Sequence, residues 1–308
     1  MPVDPQVRTF LDGFEDTTEP ISTSSPAEAR EVMKLAALLA RAPEAPAPTS
    51  DRTVPGRGGD IPVRVYRPDA EGPLPVVVYF HGGGFVIGGI ESHDPLCQQL
   101  ATRVPAVVVS VEYRLAPEHR FPAAVDDAFD ALRWVSANAA ALGGDAARLA
   151  VAGDSAGGNL SAVVSLLARD AGGPPVAFQL LIYPATDLTM STPSHRLNGE
   201  GYLLTREEMD WFMGHYLPDD VDRRLPTLSP LFADDLSGLP PALVVTAEFD
   251  PLRDEGEAYG ARLEEAGVEA RVARYDGMIH GFVSLDAIVD GGARAIDECV
   301  SALQEALS

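Results

Sequence analysis

The 308-residue sequence has few cysteines, few basic residues and no long hydrophobic run. Its two cysteines, Cys97 and Cys299, are too few for a disulfide framework in a chain of this length. We expect both to be buried free thiols in a reducing cytoplasm. The N-terminus has early acidic residues and lacks the apolar stretch of about 7–15 residues that a secretory signal requires. No segment predicts a transmembrane helix, so we expect a cytoplasmic protein without stable membrane association.

Positive charge is also scarce. The 23 Lys and Arg residues stand against 46 Asp and Glu residues, which gives a formal net charge of −23. Because this negative field repels phosphate backbones and anionic lipid surfaces, nucleic acid is not expected as a partner. Apolar residues make up 46% of the chain and charged residues 22%, a balance typical of globular proteins and not of disordered or fibrous ones.

Short apolar segments rich in valine and isoleucine predict β-strands along most of the chain. Helical stretches separate most of them, and this alternation indicates a mostly parallel sheet with helices on both faces. Continuous apolar character is typical of strands that are buried on two sides. The predicted fold class is therefore α/β. The predicted strands are residues 61–68, 75–80, 106–111, 148–153, 177–182, 242–247 and 269–274.

One helical segment near the N-terminus lies outside this alternation. Ser25 is a typical N-cap residue, Pro26 favours the first helical position, and Glu28 completes a capping box. A proline-rich stretch at 43–48 follows the segment. We predict that residues 1–50 form N-terminal cap helices and that residues 51–308 form the catalytic domain.

A second such segment lies between the strands at 177–182 and 242–247. Thr205 and Glu208 predict another capping box, and an apolar stripe follows at helical spacing. Such a stripe is more often core than ligand pocket. Its position after a strand, on the side where α/β sheets bind ligands, favours a cap insertion at about 188–226 over the active site. The stripe consists of Met209, Phe212, Met213 and Tyr216.

A serine between two glycines follows the strand at 148–153, where residues 153–159 read GDSAGGN. The pattern Gly153-x-Ser155-x-Gly157 is typical of a nucleophile elbow, a sharp strand-to-helix turn that exposes the serine hydroxyl. The glycines alone would also suit a tight turn with close packing. The serine therefore counts as a catalyst only if the chain supplies a base, an acid and an oxyanion site.

The glycine-rich motif HGGGF, residues 81–85, follows the strand at 75–80. Three glycines are compatible with a merely flexible loop. They also let backbone N–H groups converge on one point, as an oxyanion hole requires. An HGGG loop upstream of GxSxG is typical of lipases and esterases. We expect His81 to hold this loop by hydrogen bonding.

The base is expected on a loop after a late strand, because the chain order in this type of fold is serine, acid, histidine. His280, in MIHGF after the strand at 269–274, has that position. The alternative interpretation is an ordinary loop histidine bonded to backbone. Loop or surface roles are expected for His93, His119, His195 and His215.

The acid is expected just after the strand at 242–247, where the chain reads EFDPLRDEG. Asp250 is our prediction, 95 residues after Ser155 and 30 before His280. Followed by Pro251, it is also a good N-cap for the next helix, which would make it structural. Glu248 and Asp254 are weaker candidates.

Five motifs occur in order between residues 81 and 282: HGGGF, EYRLAPEHRFPAA, GDSAGGN, DPLRDEG and HGF. Together they resemble the hormone-sensitive-lipase family of α/β-hydrolases, the family IV carboxylesterases of the GDSAG type, over nearly the whole chain. The resemblance implies an α/β-hydrolase fold with a helical cap. It also implies a triad of Ser155, Asp250 and His280, with backbone oxyanion donors at Gly83, Gly84 and Ala156.

The resemblance further implies a serine carboxylesterase that hydrolyses short- to medium-chain acyl esters through an acyl-enzyme. Similar enzymes need no cofactor, and we expect no metal requirement. The small-molecule ester would bind in a pocket lined by Phe85, Tyr183, Tyr202, Leu204, Phe212 and Ile279.

Other functions stay open on the sequence alone. An amidase or lactonase would use the same triad. An interfacial lipase is disfavoured by the strong acidity and the missing signal. Plant gibberellin receptors resemble this family but lack the triad histidine, so the presence of His280 ranks a non-catalytic ligand receptor last. The sequence does not give the oligomeric state, and a homodimer is one option.

Overall fold

The computed structural model describes residues 2–15 and 20–308, and its centre is an eight-stranded sheet. Residues 1 and 16–19, part of the predicted N-terminal cap segment, lie outside the described residues. The strands are β1 (Thr49–Gly56), β2 (Gly59–Tyr66), β3 (Leu74–Phe80), β4 (Val107–Val111), β5 (Gly144–Asp154), β6 (Phe178–Ile182), β7 (Ala242–Phe249) and β8 (Ala270–Ile279). Their order in the sheet is β1-β2-β4-β3-β5-β6-β7-β8.

The sheet is mostly parallel, as predicted. From β4 to β8 every neighbouring pair is parallel, whereas β2 is antiparallel to both β1 and β4. The parallel strands therefore all end at the same edge of the sheet. In folds of this kind that edge binds ligands.

Helices cover both faces of the sheet. The helices in the described part of the chain are α1 (Pro5–Glu15), α2 (Pro26–Lys34), α3 (Ile90–Arg103), α4 (Ala123–Asn138), α5 (Ala156–Asp170), α6 (Pro193–Leu197), α7 (Arg206–Tyr216), α8 (Arg253–Glu265) and α9 (Asp290–Ala306). Both predicted capping boxes are present, at the starts of α2 and α7. Within the described ranges, no helix combines the length and hydrophobicity needed to cross a membrane.

The two faces of β3 show how the sheet organises the core. Val76, Val78 and Phe80 belong to a hydrophobic cluster that also contains residues of α4 and α5. The alternate residues Val77 and Tyr79 belong to a second cluster, shared with α3 and α9. Successive side chains of a strand point to opposite faces, so a continuous apolar strand lies between two helical layers.

The sequence pattern missed β1. β1 has a largely exposed, polar sequence, TSDRTVPG, with Pro55 near its end, which is unlike the apolar strands of the centre. Among the strands of residues 2–15 and 20–308 it lies at the edge of the sheet and pairs with β2 alone. Edge strands tolerate proline and polar residues because one side of the strand makes no ladder. Strand β8 also runs five residues beyond the predicted end at 274.

Candidate active site

Ser155 lies at the turn between β5 and α5 in a strained backbone conformation. Its φ of 53° and ψ of −115° are unusual for a residue with a side chain. The two flanking glycines are required by close packing: a Cβ on Gly157 would lie 1.8 Å from the carbonyl oxygen of Phe80, and one on Gly153 would lie 2.4 Å from the backbone of Gly157. The turn therefore has the geometry of a nucleophile elbow.

The structure brings together the three side chains that the sequence pointed to. His280 Nε2 lies 3.0 Å from the hydroxyl oxygen of Ser155, and His280 Nδ1 lies 2.8 Å from Oδ2 of Asp250. An ionised carboxylate only accepts hydrogen bonds, so Nδ1 carries a proton and Nε2 is free to accept from the serine hydroxyl. The carboxylate is completely buried, and the imidazole is 12% exposed.

The second oxygen of Asp250 holds the loop that follows β7. Oδ1 accepts the N–H of Leu252 at 2.8 Å. Helix α8 begins at Arg253 with Leu252 as its N-cap residue. A bond from the N–H two residues on is the kind that an N-cap side chain accepts, so Asp250 also holds the backbone that leads into α8. The other two candidate acids have different partners: Asp254 accepts the N–H of Ser194, and Glu248 accepts the N–H of Gly277.

The glycine loop after β3 turns sharply beside Ser155. Gly83 and Gly84 have φ values of 116° and 57°, in the region that glycine adopts without strain. The carbonyl of Gly83 accepts N–H groups from Val86 and Ile87, which closes the turn. In residues 2–15 and 20–308, the N–H groups of Gly83 and Gly84 have no protein acceptor. Ala156 is the first residue of α5, where the N–H has no partner within the helix.

A buried ionic cluster lies behind this loop. Oδ1 of Asp154 accepts the N–H of Gly82 at 2.9 Å and the hydroxyl of Tyr79 at 2.6 Å, and it lies 3.3 Å from Nε2 of His93. Burial opposes ionisation of both partners. Nevertheless, the charge of His93 lowers the pKa of Asp154 to about 2, and Asp154 raises the pKa of His93. The carboxylate that holds the glycine loop is therefore ionised at neutral pH.

His81 remains neutral beside this cluster. Its Nδ1–H donates to the carbonyl of Gly82 at 2.7 Å, which agrees with the predicted loop-holding role. Burial and the nearby positive charge of His93 lower the pKa of His81 to about 3. The hydroxyl of Tyr113 donates to the carbonyl of His81 at 2.7 Å and fixes the start of the loop.

Two histidines that were predicted to lie on loops or at the surface are buried. His93, expected on a loop or at the surface, is 3% exposed on α3, and His195 is 2% exposed on α6. Each is buried because a carboxylate partner, Asp154 or Glu255, is buried with it. His119 is exposed as expected, and His215 is half-buried on α7.

The predicted pocket residues fall into two groups. Those in the core are almost completely buried: Phe85 stacks on Tyr216, the Tyr183 ring lies 4.7 Å from that of His280, and Ile279 ends β8. The remaining pocket candidates belong to the insertion between β6 and β7. Tyr202 packs on Phe249, and Leu204 packs against the hydrophobic cluster of α4 and α5. The ring of Phe212 lies against Gly84. Their role as a substrate pocket stays a prediction.

Sequence reasoning missed several residues that organise the site. Asp154 stands inside the motif GDSAGGN, and its place directly before Ser155 was an available signal. Arg30 on α2 donates to the carbonyls of Val86 and Ala116, which links the N-terminal helix to the end of the glycine loop. No spacing in the sequence indicates that contact, because 56 residues separate Arg30 from Val86.

A mostly parallel sheet with this elbow, followed at its carboxyl edge by the acid and the histidine, defines the α/β-hydrolase class. A family model described as the alpha/beta hydrolase fold matches residues 77–284. Carboxylesterase NlhH from Mycobacterium tuberculosis is 47% identical over 315 residues, which cover 99% of this chain and 96% of that protein. Ethyl acetate hydrolase from Pseudomonas putida is 41% identical over 285 residues, with 90% and 89% covered.

A solved structure gives the same result. The hyperthermophilic esterase from the archaeon Pyrobaculum calidifontis matches with a TM-score of 0.93 and 46% identity, and 100% of each chain is covered. The chain belongs to the hormone-sensitive-lipase-like carboxylesterases of the α/β-hydrolase superfamily, and it is a serine ester hydrolase. The predicted fold class, family and enzyme class are thereby confirmed, and an amidase, a lactonase or a receptor is not favoured.

Proposed function

We propose that Ser155, His280 and Asp250 are the catalytic triad of this ester hydrolase. The observation that carries the proposal is the continuous chain of hydrogen bonds from the Ser155 hydroxyl through His280 to the buried Asp250 carboxylate. The serine oxygen attacks the ester carbonyl while His280 Nε2 takes its proton. Asp250 holds the imidazole tautomer and stabilises the imidazolium that forms.

The two halves of the reaction use the same groups. The protonated imidazole gives its proton to the leaving alcohol as the tetrahedral intermediate collapses to the acyl-enzyme. A water molecule then loses a proton to His280 and attacks the acyl carbon, and the proton returns to Ser155 as the acid leaves. In both halves the N–H groups of Gly83, Gly84 and Ala156 would stabilise the oxyanion, each contributing roughly 10²–10³ in turnover.

We propose that the substrates are small esters with short to medium acyl chains. The support is steric, because the Phe212 ring lies against Gly84 and restricts the space beside the oxyanion site. A relative with 41% identity is named for ethyl acetate, an acetyl ester. We also propose that α2 and the insertion at about 188–226 form a cap, since Arg30 and Phe212 both contact the glycine loop or its end.

Two buried free cysteines support a cytoplasmic location. Cys97 and Cys299 are unpaired in the structure, and burial raises the pKa of the Cys299 thiol to about 12. Thiols in this state suit a reducing compartment, where disulfides are rare. The location is tested by fractionating cells that express the protein without added tags at its termini.

The triad is tested by a matched pair of variants, Asp250→Asn and Asp254→Asn. Each changes one carboxylate to an amide of nearly the same shape, Asp250 in the loop after β7 and Asp254 in the first turn of α8. Asp250→Asn favours the wrong imidazole tautomer, so we expect kcat to fall by up to about 10⁴. Asp254→Asn should keep kcat within about tenfold of the wild-type value, because its carboxylate bonds to Ser194 and Arg253 instead. The reverse pattern would refute Asp250 as the acid.

The expected chemistry is tested with chromogenic esters of increasing acyl length. The rate should be highest for short to medium chains and should survive exhaustive chelation. A complete loss on chelation that added zinc reverses would contradict a serine mechanism. A preference for long-chain emulsified esters would contradict the proposed substrate class and leave the triad unaffected.

A further inference from the structure

The segment formed by α6 and Asn198 lies against the loop that carries Asp250. The Asn198 amide Nδ2 donates to the carbonyls of Glu248 and Asp250, at 3.2 and 3.0 Å. The Ser194 hydroxyl donates to the carbonyl of Pro251 at 2.6 Å. Ser194 and Asn198 are almost completely buried, with exposed fractions of 0% and 5%. Two side chains of the insertion thus contact three carbonyls around the triad acid.

These carbonyls lie at the end of β7, where its pairing with β8 becomes irregular. The pairing of β7 with β8 shifts between Ala247 and Phe249, and β7 ends at Phe249. A buried carbonyl without a partner costs free energy, so the loop needs donors from outside the sheet. Asn198 donates one amide to the carbonyls of Glu248 and Asp250. Arg253 donates to the same two carbonyls, through its guanidinium to Glu248 and through its N–H to Asp250.

Helix α6 is itself fixed to α8 by a buried ionisable pair. His195 Nε2 lies 2.5 Å from Oε2 of Glu255, and both side chains are at most 2% exposed. The other oxygen of Glu255 accepts the N–H groups of Thr186 and Asp187, at 2.7 and 3.0 Å. The segment before α6, α6 itself and the start of α8 are therefore connected. Ser194 and Asn198 therefore contact the loop from a segment that is itself held in place by these bonds.

We propose that Asn198 and Ser194 are positioning residues that orient the Asp250 carboxylate toward His280. This inference rests on the proposed triad. Asn198 holds the carbonyl of Asp250 itself, and Ser194 holds that of the next residue, so together they fix the backbone from which the carboxylate projects. The Leu252 N–H then fixes its Oδ1, which leaves Oδ2 directed at His280 Nδ1.

The alternative is that these bonds only stabilise the fold. A net hydrogen bond contributes about 0.5–1.5 kcal/mol to stability in that case, and its loss would not act specifically on Asp250. If Asn198 and Ser194 instead position Asp250, their loss should lower the catalytic rate. A misplacement of about 1 Å in a catalytic group can cost about 10²-fold in rate, and the effect depends on the group that is misplaced.

A double-mutant cycle separates the two possibilities. We expect Asn198→Ala to lower kcat by about 10- to 100-fold with a change in KM of less than about threefold. In an Asp250→Ala background there is no carboxylate to orient, so the same substitution should change kcat by less than about threefold. The low rates of that background are measured at high enzyme concentration, with Ser155→Ala as the blank.

The matched control is Asn138→Ala on α4. Asn138 also donates an amide bond to a carbonyl, that of Trp134 at 2.8 Å, but it belongs to no part of the site. We expect its kcat to equal that of the wild type. Ser194→Ala provides a second arm if Asn198→Ala does not fold, with an expected loss of about 3- to 30-fold that also disappears without the Asp250 carboxylate.

Three results would count against these claims in distinguishable ways. An equal loss in both backgrounds would show that Asn198 acts independently of Asp250, which overturns the inference alone. An unchanged kcat in Asn198→Ala would overturn it as well. Wild-type rates in Asp250→Ala would refute the proposed triad, and the inference would fall with it.

Discussion

The Phe212 ring packs directly on the backbone of Gly84. A Cβ placed on Gly84 would lie 2.4 Å from Cγ and Cδ1 of that ring, closer than side-chain carbons approach. An aromatic side chain from the insertion between β6 and β7 therefore lies beside a proposed oxyanion donor. In the proposed site this contact would affect both acyl specificity and oxyanion geometry, and each effect can be tested by substitution.

Removing the ring should widen the acyl preference. We expect Phe212→Ala to shift the chain-length profile toward longer esters while the rate on acetyl esters changes by less than about threefold, because the lost volume lies beside the acyl chain and not at the reacting atoms. Leu204→Ala should shift the profile in the same direction. An acyl series measured at saturating substrate checks this.

Phe129→Ala is the control for that prediction. Phe129 is a partly buried phenylalanine on α4, and it belongs to none of the predicted pocket positions. Its chain-length profile should equal that of the wild type. An unchanged profile in Phe212→Ala and Leu204→Ala would mean that both residues are only core.

Gly84→Ala should damage the site through two separable causes. The φ of 57° costs a residue with a Cβ about 1–2 kcal/mol, and the new methyl group would collide with Phe212. We expect kcat to fall by at least about tenfold, because the oxyanion donors move. Adding Phe212→Ala removes the collision and leaves the backbone strain, so the double variant should recover part of the rate. Wild-type activity in Gly84→Ala would contradict the placement of this loop.

The buried pair behind the glycine loop should make stability depend on pH. The pKa of His93 is raised in the folded state, so its contribution is complete below the ordinary pKa of about 6.5 and is lost as the pH rises through the folded value. Removing one partner of a buried pair costs about 3–5 kcal/mol. We expect His93→Gln to lower the free energy of unfolding by about this amount near pH 6.

The difference between wild type and His93→Gln should narrow at alkaline pH, because the wild-type protein then loses the same pair. Urea unfolding at a series of pH values measures this difference in the free energy of unfolding. His119→Gln, at an exposed histidine, should show no such dependence. At the acid end, the contribution of Asp154 should disappear as the pH falls from about 4 toward 2. A difference that grows above pH 7 would contradict the pairing.

Local patterns in the sequence predicted the centre of the fold well. Valine-rich runs identified the buried parallel strands, because a strand covered on both faces must be apolar throughout. Valine-rich runs could not identify β1, which lies at the edge of the sheet and has exposed polar side chains. The capping boxes at Ser25 and Thr205 were visible because each is closed by a residue three positions away.

The residues that contact the site from distant parts of the chain could not be predicted in the same way. Ser155, Asp250 and His280 stand in recognisable motifs. His93 and Asn198, in contrast, act through contacts with residues 61 and 52 positions away, which no local period encodes. A buried histidine also looks like a surface one in sequence, because burial depends on a carboxylate partner that only the folded chain brings near.

The most direct test of the account is covalent labelling of the nucleophile. We would incubate the protein with a phosphonate ester that carries a good leaving group, measure the intact mass, and map the modified peptide. With Ser155 as the nucleophile, we expect one adduct per chain, on Ser155, with loss of esterase activity in proportion to labelling and no adduct in Ser155→Ala. Full esterase activity in Ser155→Ala, or inactivation through an adduct on another residue, would contradict it.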